Sequence, residues 1–212
     1  MRRFALVVFC MGCGATAPAS SDAAPDVADA PDASDASGPF VTGVVSFSPG
    51  PCAGFGQGEM PGVVEGPPVG GGLAQGSTDV VSLGVGGSIV LSFSPNAIVD
   101  GDGPDFVVFE NAFYVGGNPN DVYSEPGDVS VSDDGVTWST FSTQAGLHPV
   151  TSPPAAPTDW PACGGDAFDL ATLGLAHARY VRITDASGET CDSASKTAGF
   201  DLDAIAILNA GL

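Results

Sequence analysis

The stretch DGDGPDFVVFEN, Asp100 to Asn111, decides how the chain is read. An acidic, glycine-rich turn carrying Asp100, Asp102 and Asp105 runs directly into an apolar segment, Phe106 to Phe109, which closes on Glu110 and Asn111. A turn feeding a short apolar run predicts a buried β-strand. Carboxylates this close repel one another unless hydrogen-bond donors or a hard cation satisfy them, and an oxygen-only ligand set suits calcium. A calcium-bearing loop on a β-sandwich is the first expectation. Ordinary turn-forming aspartates are the other, because Asp-Gly is common turn chemistry.

Outward from this stretch the chain is written as strands and turns. Upstream, FVTGVVSF at Phe40 to Phe47 predicts a first strand, and a long Gly- and Pro-rich stretch, Ser48 to Ser77, separates it from DVVSLGVGGSIVLSF at residues 79 to 93. Two β-rich runs flanking Gly84 to Gly87 predict a hairpin. Downstream, GDVSVSDDGVTWSTF at residues 127 to 141 predicts a second hairpin, with a tight turn at Asp134-Gly135 and Trp138 in the core of its return strand. ARYVRIT at 178 to 184 and GFDLDAIAIL at 199 to 208 supply the last strands.

Composition agrees with this pattern. Thirty glycines and eighteen prolines among 212 residues favour turns over helices. Beyond Arg3 the only basic residues are Arg179, Arg182 and Lys196, against twenty Asp and Glu from Phe40 onward. Nucleic acid is excluded as a partner, since phosphate neutralisation needs a basic surface.

The N-terminus reads as an export signal over residues 1 to 12: Met1-Arg2-Arg3 is basic, and Phe4 to Met11 is apolar and too short to span a bilayer. Gly12-Cys13 resembles the end of a bacterial lipobox, which would put a lipid on Cys13 and anchor the protein at the outer membrane or cell surface; cleavage near Ala17 to Ala19 is the alternative. Residues 13 to 39, rich in Ala, Pro, Asp and Ser, have no apolar face to bury and read as a disordered tether. A coil of that composition reaches about 25 to 30 Å on average. The folded domain is expected over residues 40 to 212.

A resemblance attaches to these motifs. SVSDDGVTW, ARYVRITD and DLDAIAIL together resemble the galactose-binding-like jelly roll of discoidin-type domains and many carbohydrate-binding modules. Residues 79 to 208 are also similar to a group of uncharacterised bacterial cell-surface proteins that carry LGxGGxIxLxF, DGxGxDFxVFEN, GGDxFDL and GFDLDAxA segments. The resemblance implies an all-β, antiparallel sandwich of about eight strands, export, and a structural calcium.

The candidate metal ligands are Asp100, Asp102 and Asp105, joined by Glu110, Asp166, Asp169, Asp201 and Asp203, because a calcium cage draws about six to eight oxygens from several loops. Strand alternation would put Asp201 and Asp203 on the face of Ile205 and Ile207, where they need a metal or Arg182 as partner. Loop aromatics Phe113, Tyr114, Tyr123 and Trp160 are the candidate sugar platforms. Among the cysteines, Cys163 and Cys191 precede the two acidic segments GGDAFDL and GFDLD, so a bridge between them, with Cys52 left out, is expected. His148 and His177 lack zinc-ligand spacing and read as loop residues.

No nucleophile elbow, HExxH or phosphate-cradling glycine motif occurs, so no catalytic residue is assigned; a glycosidase-like carboxylate pair stays open. Two functions remain. One is a non-catalytic, calcium-stabilised surface module for a polysaccharide. The other is a surface-coat or protein-interaction domain without a small ligand.

Overall fold

The computed structural model describes residues 38–72, 74–150, 159–192 and 197–212. The export signal, the Cys13 lipidation site and the tether as far as residue 37 lie outside them. The described residues form fourteen strands in antiparallel sheets: β1 (Gly43–Ser48), β2 (Val81–Ser82), β3 (Ser88–Ser92), β4 (Ala97–Val99), β5 (Phe106–Glu110), β6 (Phe113–Tyr114), β7 (Val122–Tyr123), β8 (Gly127–Ser132), β9 (Ser139–Ala145), β10 (Asp166–Phe168), β11 (His177–Ala178), β12 (Tyr180–Asp185), β13 (Asp201–Ile207) and β14 (Ala210–Gly211). A single helical turn, α1 (Trp160–Cys163), precedes β10. The all-β sandwich is therefore as expected. Its strands outnumber the expected eight because several are pairings of only two or three residues.

One sheet has the order β1-β3-β12-β8-β9 and the other β10-β5-β13-β2. Alternation builds the first: Ile89 and Leu91 of β3, Val181 and Ile183 of β12, and Val129 and Val131 of β8 all enter the core between the sheets. In the second sheet β5 and β13 are buried at every residue, since both of their faces are covered. Phe106, Val108, Leu202, Ile205 and Ile207 face the inter-sheet core. Val107, Phe109, Ala204 and Ala206 face a smaller cluster with Val150, against which Phe40 and Trp160 pack. Phe106 stacks on Phe168 at 5.2 Å between ring centroids, and Phe141 tilts against Phe168 at 4.9 Å.

Several sequence expectations are corrected. Residues 79 to 93 do not make a hairpin: β2 pairs with β13 and β3 pairs with β1 and β12, so the turn between them crosses from one sheet to the other. The crossing needs glycine, because a Cβ on Gly87 would meet the Leu83 carbonyl oxygen at 1.9 Å. The β8–β9 hairpin forms, yet its connection is longer than a tight primed turn. There Asp134 accepts hydrogen bonds from the backbone N–H groups of Val136 (2.8 Å) and Thr137 (2.7 Å), and those donors hold its carboxyl down at about 2.

Third, Trp138 is half-buried on the sheet's outer face, with the Arg182 guanidinium 4.4 Å from its ring centroid. Arg182 is thus committed to Trp138 and does not partner Asp201 or Asp203. A β-bulge between Leu202 and Ala204 also breaks the alternation, so that Leu202, not Asp201 or Asp203, shares the core face with Ile205 and Ile207.

Fourth, the disulfide joins Cys52 to Cys191, with Cα atoms 5.6 Å apart, and Cys163 is a buried thiol on α1. The turn between β2 and β3 brings the two loops together. Gly50 donates to the Leu83 carbonyl at 2.9 Å, and Gly86 donates to Asp185, at the end of β12, at 2.8 Å. The bridge spans 139 residues of sequence. Replacing both Cys52 and Cys191 by Ser is expected to lower the unfolding free energy by about 2 to 5 kcal/mol in urea titration. A non-reducing peptide map should show Cys52 and Cys191 in one linked peptide, and a Cys163-linked peptide would contradict the fold.

Candidate functional site

Strand β5 carries its acidic residues at its two ends, and these ends differ in kind. By the usual rise per residue, Asp105 and Glu110 stand about 17 Å apart along the strand. One ion cannot take both, so the eight candidate ligands do not form a single cage.

At the N-terminal end, Asp100, Asp105 and Asp169 bring one carboxylate oxygen each within 4.8 Å of one another; Asp102 is exposed and outside this group. Asp105 is fully buried and already satisfied. Its Oδ1 accepts from the Gly101 N–H (2.9 Å) and the Asn209 side-chain amide (2.8 Å), and its Oδ2 accepts from the Leu170 N–H (2.7 Å). Asp169 accepts from the Ala171 N–H and caps the short turn Leu170–Leu173. These are the bonds of a structural hub that ties three chain segments to one carboxylate. Asp105→Ala, which strands three donors, is expected to cost about 3 kcal/mol of stability, measured by denaturant unfolding.

At the C-terminal end the donors run out. Glu110, Glu125, Asp185 and Asp201 are all buried. Asp185 is well served, accepting from the backbone N–H groups of Gly86 and Phe200. Glu110 and Asp201 are not: Glu110 Oε2, Asp201 Oδ1 and the side-chain oxygen of Asn111 are buried atoms without a hydrogen-bond partner. Burial, then the Asp201 and Glu125 carboxylates, pushes Glu110 well above its ordinary range. Burial and then Asp201 push Glu125 up to about 9, and burial raises Asp201. Asp203 stands slightly apart. It accepts from the Val69 and Gly70 N–H groups, both at 3.0 Å, and burial nonetheless lifts it to about 6.

These shifts fix the direction of a pH response. Carboxyls whose pKa is raised in the folded state hold protons that the unfolded chain has released, so stability is fullest below the unfolded values and falls as pH rises. In the presence of chelator, urea midpoints should fall between about pH 4 and pH 9, through the values of about 6 for Asp203 and about 9 for Glu125. A midpoint that rises over this window would contradict the arrangement.

The candidate aromatics divide between two places. Phe113 of β6 stacks on Tyr123 of β7 at 5.2 Å, so each covers a face of the other, and Tyr114 beside them is half-buried. The Tyr123 hydroxyl donates to Glu189 at 3.3 Å, and burial raises its pKa. Trp160 lies elsewhere, on α1, where it lines a cleft of about 560 Å³ together with Thr143, Gln144, Leu147, His148, Pro161 and Asp166. In this cleft Asp166 is buried, and its Oδ2 accepts from the Gly146 and Leu147 N–H groups, each at 2.9 Å. Its Oδ1 lies 2.6 Å from His148 Nδ1, while the imidazole is 70 % exposed. With Nδ1 donating to the carboxylate, a neutral His148 keeps Nε2 as an acceptor.

Sequence reading missed three of these residues. His148 reads as a loop histidine because its partner Asp166 is eighteen positions away. Glu125 carries no motif, and Asn111, though inside the opening stretch, offers an amide where the eye looks for carboxylates. Comparison with known proteins finds no matching family model and no match among curated proteins.

Proposed function

We propose that this domain is a non-catalytic carbohydrate-binding module that takes its ligand in the cleft beside Trp160 and is displayed at the cell surface by a lipid on Cys13. The cleft carries the reading. Its volume of about 560 Å³ falls within the range of small-ligand pockets, and it places an indole beside oriented polar groups. A sugar ring offers apolar C–H faces to an aromatic and hydroxyls to polar atoms around its edge. Trp160, half-buried against the outer-face cluster, is anchored, while His148 Nε2 and the Thr143 hydroxyl supply the edge contacts. Asp166 is held by its backbone donors and the imidazole, so it orients His148 and is not spent on the ligand. The mutual stacking of Phe113 and Tyr123 makes that hairpin the poorer platform.

The test is calorimetric titration with soluble oligosaccharides of β-glucan, xylan, galactan and mannan. One of them should bind, and Trp160→Ala should weaken it by at least about tenfold, which is about 1.4 kcal/mol, in a protein that still unfolds cooperatively. If no sugar binds, or if Trp160→Ala leaves binding intact, the cleft reading fails and a protein-interaction domain takes its place.

A further inference from the structure

Three buried side-chain oxygens are left without a hydrogen-bond partner where β5 ends and β13 begins. They belong to Glu110, Asn111 and Asp201. Glu110 is 2 % exposed and Asp201 8 %, so bulk water does not repay what burial removes. Asn111 touches the Asp201 carboxylate with its side-chain amide, whose nitrogen lies at a long 3.4 Å from Oδ2, and a half-turn of the amide about its last bond would exchange nitrogen and oxygen there. The chain closes over the Asn111 oxygen without leaving room for a side chain, since a Cβ on Gly76 would meet it at 2.3 Å. Glu125, buried nearby, adds a further carboxyl. No basic side chain answers them among the described residues: Arg179 pairs with Asp133, and Arg182 lies over Trp138.

We infer that Glu110, Asn111 and Asp201 bind a hard divalent cation of the calcium class, beside the Glu125 carboxyl. Carboxylate and amide oxygens without nitrogen or sulfur are the ligand chemistry of calcium, and calcium tolerates irregular, protein-rich cages better than magnesium does. The site differs from the Asp100, Asp105 and Asp169 group, whose buried member already has three donors. It is also independent of what the Trp160 cleft binds. A cation here would fasten the end of β5 to the start of β13 and to the loop that carries Gly76.

The test uses the purified full chain, stripped with EDTA and titrated with calcium chloride, with magnesium chloride in parallel. Calcium in excess should raise the melting temperature by about 5 to 10 °C, and magnesium should do less. Glu110→Gln and Asp201→Asn should each weaken calcium binding at least tenfold in calorimetry, while the stripped proteins still unfold cooperatively. Asn111→Ala, which keeps both charges, is the second variant should those not fold, and it should also lose affinity. Asp100→Asn and Trp160→Ala should retain the calcium response. No calcium-dependent shift in the wild type overturns the inference. So does a shift that survives Glu110→Gln and Asp201→Asn, or one that Asp100→Asn abolishes.

Discussion

Double-sided burial of β5 is the constraint from which the rest follows. A strand covered on both faces by apolar side chains leaves no room for charge along its length, so Phe106 to Phe109 are all fully buried and the acidic residues stand at the ends. Each end then solves its electrostatic problem with what lies near it. At Asp105 the solution is backbone and amide donors drawn from three segments. At Glu110 the neighbours include other carboxyls, and burial beside Asp201 and Glu125 holds its pKa well above the ordinary range.

The same division separates what the sequence tells from what it withholds. Strands β5, β8 and β12 are legible because alternation or continuous apolarity reports burial directly, one residue at a time. The turn after β2 is not, because Gly84 to Gly87 looks alike whether the next strand pairs with its predecessor or leaves for another sheet. Partner choice is likewise silent. Arg182 sits at a position that could serve an acid, yet Trp138 on the neighbouring hairpin takes it. Cys191 could bridge either of two cysteines, and the choice of Cys52 rests on a turn made by glycines far from both in sequence. The site residues divide the same way. Their types were readable, but their grouping depends on strand length and register, which no local motif records.

The cleft beside Trp160 and the acidic end of β5 draw on different resources. The cleft is mounted on α1 and on the loop after β9, and its polar member His148 is set by a carboxylate with three other donors in reach. A surface loop so tied can present a side chain in one orientation while the sandwich beneath supplies rigidity. The strongly acidic chain, with a net charge of −20, bears on both places by favouring cations and neutral ligands over anions.

The bulge at Asp203 makes length, more than composition, the guarded quantity of β13. With the extra residue in place, Leu202 and Ile205 face the same core although they are three positions apart. Straightening the strand there with every residue kept would return it to strict alternation and rotate everything before the bulge by half a turn. Leu202 would swing out and Asp201 would be driven between the sheets. Point substitutions along this strand disturb one contact each, whereas a single-residue deletion away from the bulge would rewrite which side of the sheet is inside.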